Sequence, residues 1–142
     1  MEEALAEAKL SLPVDVPVGA VIVRDGAVIA RGHNTRELTR STLGHAEIMA
    51  INAAAEAKGD WRLDDCELYV TLEPCPMCAG AILNSRIRNV YFGAYDPVMG
   101  AAGSKWNILY PAVNFYPLIL DAEAEKLLKD FFKKARSEGE QK

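Results

Sequence analysis

The chain has 142 residues, half of them hydrophobic, enough for one domain with its own core and no disulfide staples. Sixteen Lys and Arg against twenty Asp and Glu leave a formal net charge of −4, so bulk electrostatics repel a polyphosphate and a nucleic-acid contact must use a local patch. No stretch approaches the roughly 18 uncharged apolar residues of a membrane span, and the start Met1-Glu2-Glu3 is acidic where a signal peptide is basic. The expectation is a single cytoplasmic domain over residues 1–142 with no membrane partner.

Residues Glu2 to about Leu10 are rich in Ala, Leu, Glu and Lys and favour a short helix, which Leu12-Pro13 ends. Val16 to Val23 is a β-branched run, Arg24-Asp25-Gly26-Ala27 a turn, and Val28 to Gly32 a returning strand, which together predict a hairpin. From His33 to Gly44 no apolar period is sustained, so this stretch reads as a loop. His45 to about Lys58 is dense in helix formers and Gly59 is a suitable stop. Cys66 to Leu72 predicts a strand that Pro74 breaks, and Pro76 suits the first turn of a helix running through Leu83. Ile87 feeds a strand from Asn89 to Tyr95, and the Gly-rich segment Gly100 to Ser104 follows. Phe115 to Leu120 reads as a last, Pro-interrupted strand. Asp121 is expected to cap an amphipathic helix to about Arg136, leaving Ser137 to Lys142 as a polar tail. This order predicts an α/β layer fold whose strand-helix-strand units pair in parallel. There are no internal repeats.

The chemistry concentrates in Gly44-His45-Ala46-Glu47 and Glu73-Pro74-Cys75-Pro76-Met77-Cys78-Ala79-Gly80. One imidazole and two thiols hold a zinc ion with three side chains and leave a fourth position open to water. Both cysteines must bind as thiolates and His45 as neutral imidazole, and helix N-termini favour the thiolate form. Zinc brings the pKa of its water from about 15.7 toward about 7, and Glu47, two residues from His45, is placed to move that water's proton. Other readings of the pair stand beside this one. It reads also as a redox couple, or as a structural zinc site with His33 as fourth ligand. Cys66 reads as a packed core residue and His33 as a loop histidine. Arg36 and Arg40, and Lys129, Lys133, Lys134 and Arg136, are the two candidate basic patches.

His-x-Glu followed by Pro-Cys-x-x-Cys resembles the signature of zinc-dependent base deaminases. With the flanking segments Val16-Pro17-Val18-Gly19-Ala20-Val21, His33-Asn34, Trp61-Arg62-Leu63, Ser85-Arg86-Ile87, Phe92-Gly93-Ala94 and Gly100-Ala101-Ala102-Gly103-Ser104, the chain resembles the bacterial tRNA-specific adenosine deaminases, within the cytidine/deoxycytidylate deaminase superfamily. That resemblance implies a three-layer α/β/α, cytidine deaminase-like fold with a five-stranded mixed sheet, and a homodimer. It also implies hydrolysis of a wobble adenosine to inosine in a tRNA anticodon loop. It implies His45, Cys75 and Cys78 as zinc ligands, Glu47 as the catalytic proton carrier, and Asn34 and Asn114 as substrate contacts. The C-terminal third departs from the family pattern: Phe115 follows Asn114 where a histidine is usual, and Tyr116-Pro117-Leu118-Ile119-Leu120 replaces a Val-x-x-Gly segment. A free nucleobase or nucleoside deaminase of guanine or cytosine type, a deaminase with altered single-stranded DNA or RNA substrate, and a non-catalytic zinc module are the alternative readings.

Overall fold

The computed structural model describes residues 1–140. In chain order its elements are α1 (Glu2–Lys9), β1 (Gly19–Arg24), β2 (Ala27–His33), α2 (Arg36–Thr39), α3 (Ala46–Lys58), β3 (Cys66–Leu72), α4 (Pro76–Asn84), β4 (Asn89–Ala94), β5 (Asn114–Tyr116) and α5 (Asp121–Glu140). The strands form one five-stranded sheet in the order β2-β1-β3-β4-β5. The hairpin pairs antiparallel, as does β1 with β3, while β3–β4 and β4–β5 are parallel. The sheet is therefore mixed, with the parallel part where helices intervene between strands.

Register explains how two faces are covered. Ala30, Ile22, Leu68, Val90 and Phe115 form one cross-strand row, and Gly32, Ala20, Val70 and Phe92 the next. These rows pack against Ala46, Ala50 and Ala54 of α3 and Ala79 and Ile82 of α4. The alanines recur every four residues, so α3 presents one small-residue stripe. Its backbone lies so close to β2 that a Cβ on Gly32 would overlap the carbonyl of Ala46. On the opposite face, α1 sits over β1 and a Cβ on Gly19 would overlap the backbone of Ala4 and Ala8. A smaller cluster there joins Leu5 of α1, Ala94 and Ala124, with Leu127 and Leu128 of α5 packed on it. Beyond the helices this face carries Tyr69, Tyr91 and Tyr116 in register, their rings stacked 4.6 and 4.9 Å apart. The two helical layers and the sheet make the expected three-layer, cytidine deaminase-like arrangement.

Four local expectations are corrected. The hairpin begins at Gly19, not Val16, because Pro17 has no N–H for the ladder and the carbonyls of Val16 and Val18 bond Asn34 instead. The stretch from His33 to Gly44 is not all loop, since α2 forms within it. Its Glu37 and Leu38 amides donate to the buried Asp15 carboxylate at 2.6 and 3.1 Å, a cap from a distant residue that no local pattern announces. The last strand is only Asn114–Tyr116, and Pro117 ends it. Finally, Asp121 is the first residue of α5 and not its cap, and the helix continues through Ser137 to Glu140 where a tail was expected. The remainder of that tail, Gln141 and Lys142, lies outside the described residues.

Candidate active site

Two helix starts meet beyond the carboxyl end of β3. His45 caps α3 in extended conformation, and Cys75 caps α4, where Pro76 occupies the first turn at no cost in hydrogen bonds. Cys78 lies one turn into α4. The His45 Nδ1 is 3.6 Å from the Cys75 Sγ and 3.5 Å from the Cys78 Sγ, and all three donor atoms lie within 4.8 Å of one another. Tetrahedral zinc with Zn–N near 2.05 Å and Zn–S near 2.3 Å separates such a nitrogen and sulfur by about 3.6 Å. The donor set thus fits a zinc ion without rearrangement, and the fourth corner has no protein ligand in the cluster.

His33 does not complete it. The residue ends β2 on the face toward α1, where its Nδ1 lies 3.2 Å from Glu7 Oε2. This removes the four-ligand structural site built on His33. Cys66 is buried as expected, and burial pushes its thiol up to about 11.

Proton affinities in the cluster are uneven. The Cys75 thiol is held down to about 4, chiefly by the donor it receives from Cys78 and then by His45. Cys78 is shifted up by the same contact, seen from its other partner, and by burial. His45 is raised by its bond to Cys75. Glu47, 4% exposed, is raised to about 7, with loss of solvation as the largest cause. Loss of solvation raises the proton affinity of this carboxyl above that of an exposed glutamate, which suits a group that takes up a proton and passes it on.

Val16, Val18, Asn34, Arg36, His45, Glu47, Leu72, Cys75, Asp96 and Met99 enclose a cleft of about 230 Å³. The structure thus brings Asn34 together with the metal cluster and Glu47. The Asn34 amide already donates to Val16 O at 3.1 Å and accepts from Arg36 N at 3.1 Å, which closes a turn. Its second N–H and second lone pair remain for a ligand. Asn114 is elsewhere: it pairs with Asn89 at the amino-terminal end of β4, the opposite end of the sheet from the cluster, and is exposed. Asp96 and Met99 follow β4 in a segment with no regular element, and only the fold brings them to the cleft. A larger cleft of about 540 Å³ lies apart from this site, lined by Trp61, Arg62, Arg86 and Arg88 among others.

Comparison with known proteins agrees with the geometry. The family model of the MafB19-like deaminases matches residues 1–136. The tRNA-specific adenosine deaminase of Bacillus subtilis (strain 168) is 44% identical over 142 residues, covering 96% of this chain and 88% of that protein. That of Agrobacterium fabrum (strain C58 / ATCC 33970) is 47% identical over 143 residues, covering 96% and 93%. A structure from work on A-to-I editing by tRNA:A34 deaminases at the wobble position of transfer RNA superposes with a TM-score of 0.84 at 43% identity, covering 90% of this chain and 97% of that one. By family model, relatives and fold, the chain belongs to the MafB19-like deaminases, with tRNA-specific adenosine deaminases among its relatives.

Proposed function

We propose that the chain is a zinc-dependent hydrolytic deaminase converting adenosine to inosine at the wobble position of a tRNA anticodon. The observation that carries this reading is that His45 and Cys75, clustered with the buried Cys78, line one small cleft together with the buried Glu47 and Asn34. At about 230 Å³ the cleft is below the roughly 300–1,000 Å³ of pockets for drug-sized ligands. It suits one nucleobase, so a nucleotide in a loop must be splayed out to enter. The relatives named above act, by their names, on tRNA adenosine.

His45, Cys75 and Cys78 would hold a zinc ion, which when bound would supply the acidity that makes a water nucleophilic near neutral pH. Glu47 accepts the proton that water gives up and passes it to the ring nitrogen beside the attacked carbon. The water oxygen bonds that carbon, the carbon–nitrogen bond to the exocyclic amine breaks, and Glu47 relays the second proton so that ammonia departs. Asn34 fixes the base or ribose through its free N–H and lone pair. Asn114, remote from the cleft, would contact loop nucleotides outside it.

Two surface features support a polynucleotide substrate and an assembly. Arg62 and Arg86 lie 4.6 and 5.8 Å from the centre of the Trp61 ring, and with Arg88 they outnumber Asp64, the one acid lining the larger cleft, while Arg62 also pairs with Asp60 at 3.3 Å. Ile48, Ile51, Met77 and Ala81 are half-buried apolar residues on α3 and α4, with open space over Gly80, which supports a homodimer through that face. No helix among the described residues is long and apolar enough to cross a membrane, and the proposed setting is the cytoplasm.

The test is a substrate panel with zinc-loaded protein: an anticodon stem-loop bearing a wobble adenosine, beside adenosine, adenine, guanine and cytidine. Inosine in the stem-loop with little turnover of the free compounds is the expected result. Turnover of a free base alone contradicts the tRNA reading and favours the nucleobase alternative.

A further inference from the structure

Glu73 sits at the end of β3, two residues before the Cys75 ligand, and is only 2% exposed. A carboxylate buried this deeply needs donors around it, and it has four from a single segment far along the chain. Its Oε1 accepts from the Asp96 amide at 3.1 Å and from the Ser104 hydroxyl. Its Oε2 accepts from the Ala102 amide at 2.9 Å and the Ser104 amide at 3.1 Å. The backbone adds to this clasp. Glu73 N donates to Ala94 O at 2.9 Å, and Ala101 N donates to Pro74 O at 2.8 Å.

Gly100 is shaped around the same carboxylate, since a Cβ there would overlap the Glu73 side chain and the Asp96 carbonyl. The clasped segment carries Asp96 and Met99, which form one wall of the cleft.

From this we propose that Glu73 is a positioning residue: its carboxylate latches residues 96–104 to the turn that carries Cys75, and so sets the wall against which the substrate is held. The inference rests on the reading of the 230 Å³ cleft as the substrate pocket. Glu73→Gln is the informative change because it keeps size and removes half of the acceptor capacity. An amide nitrogen on the Oε2 side faces the Ala102 and Ser104 N–H groups and loses both bonds; on the Oε1 side it loses the Asp96 N–H while the Ser104 hydroxyl can turn and accept from it, so at least one of the four bonds is lost.

Hydrogen exchange at the Asp96, Ala102 and Ser104 amides is measured on the zinc-loaded full chain, together with zinc content and stem-loop kinetics. For Glu73→Gln we expect one or more of these amides to exchange at least about tenfold faster. Zinc should be retained, and KM should rise about tenfold or more with kcat within about threefold. Ser104→Ala, which removes one donor, should give the same pattern weakened, and Gly100→Ala should reach it from the loop side. These two variants carry the test if Glu73→Gln does not fold. Unchanged exchange at the three amides overturns the latch. Loss of zinc, or of kcat alone with KM unchanged, overturns the positioning role and ties Glu73 to the metal site instead. If wild-type protein fails on every substrate in the panel while exchange rises as expected, the functional reading falls and the latch stands.

Discussion

His45→Ala, Cys75→Ala and Cys78→Ala each remove one of three donors converging on one point. Zinc content by atomic emission should fall from about one per chain to near zero in all three. A full zinc complement in the Cys78 variant would refute the ligand assignment. A strong chelator should likewise abolish turnover of wild-type protein, and added zinc should restore it. His45, Cys75, Cys78 and the nearby Glu47 stand out in the sequence because metal and proton chemistry admits few side-chain types, and short spacing on helix starts places them together. Asp15, Glu73, Asp96 and Met99 do not, because each matters through a partner at least 20 residues away. The Glu73 oxygens meet residues 23, 29 and 31 positions on, and nothing at Glu73 itself names them. Asn34 was half legible: its turn role and its place in the cleft coexist in one side chain.

Close backbone approach, more than propensity, fixes how the elements stack. Gly19 and Gly32 lie on opposite faces of the hairpin, one against α1 and the other against α3. Gly19→Ala and Gly32→Ala should each destabilise the protein by about 3 kcal/mol, the upper part of the range for overpacking, because backbone and not a flexible side chain must yield. Denaturant melts of the two variants check this, and a loss near zero would mean the layers slide apart freely. Asp15→Ala removes the remote cap of α2 and should cost about 1–2 kcal/mol. The hairpin, α3, β3, α4 and β4 follow from periodicity and their stop signals. The short α2 depends on Asp15. The brevity of β5 and the extension of α5 were set by pairing and packing that local composition does not encode.

For the whole molecule, net charge and local charge point in opposite directions. A chain of net charge −4 that engages phosphates through Arg62, Arg86 and Arg88 should bind a stem-loop with strong salt dependence. KM for the stem-loop should rise at least about tenfold between 50 and 200 mM salt if three or more phosphates are neutralised. Salt-independent turnover would instead mark a free-base enzyme. Light scattering should find a dimer, and a monomer that retains full activity would remove the assembly from the account. Inosine formed in the stem-loop by wild-type and Glu47→Gln proteins, each with full zinc, tests whether Glu47 moves protons at a zinc site that deaminates a wobble adenosine. Wild type should form inosine, and the variant should lose at least about 100-fold in rate. Equal inosine from both, or none from the folded, zinc-loaded wild type, would contradict this.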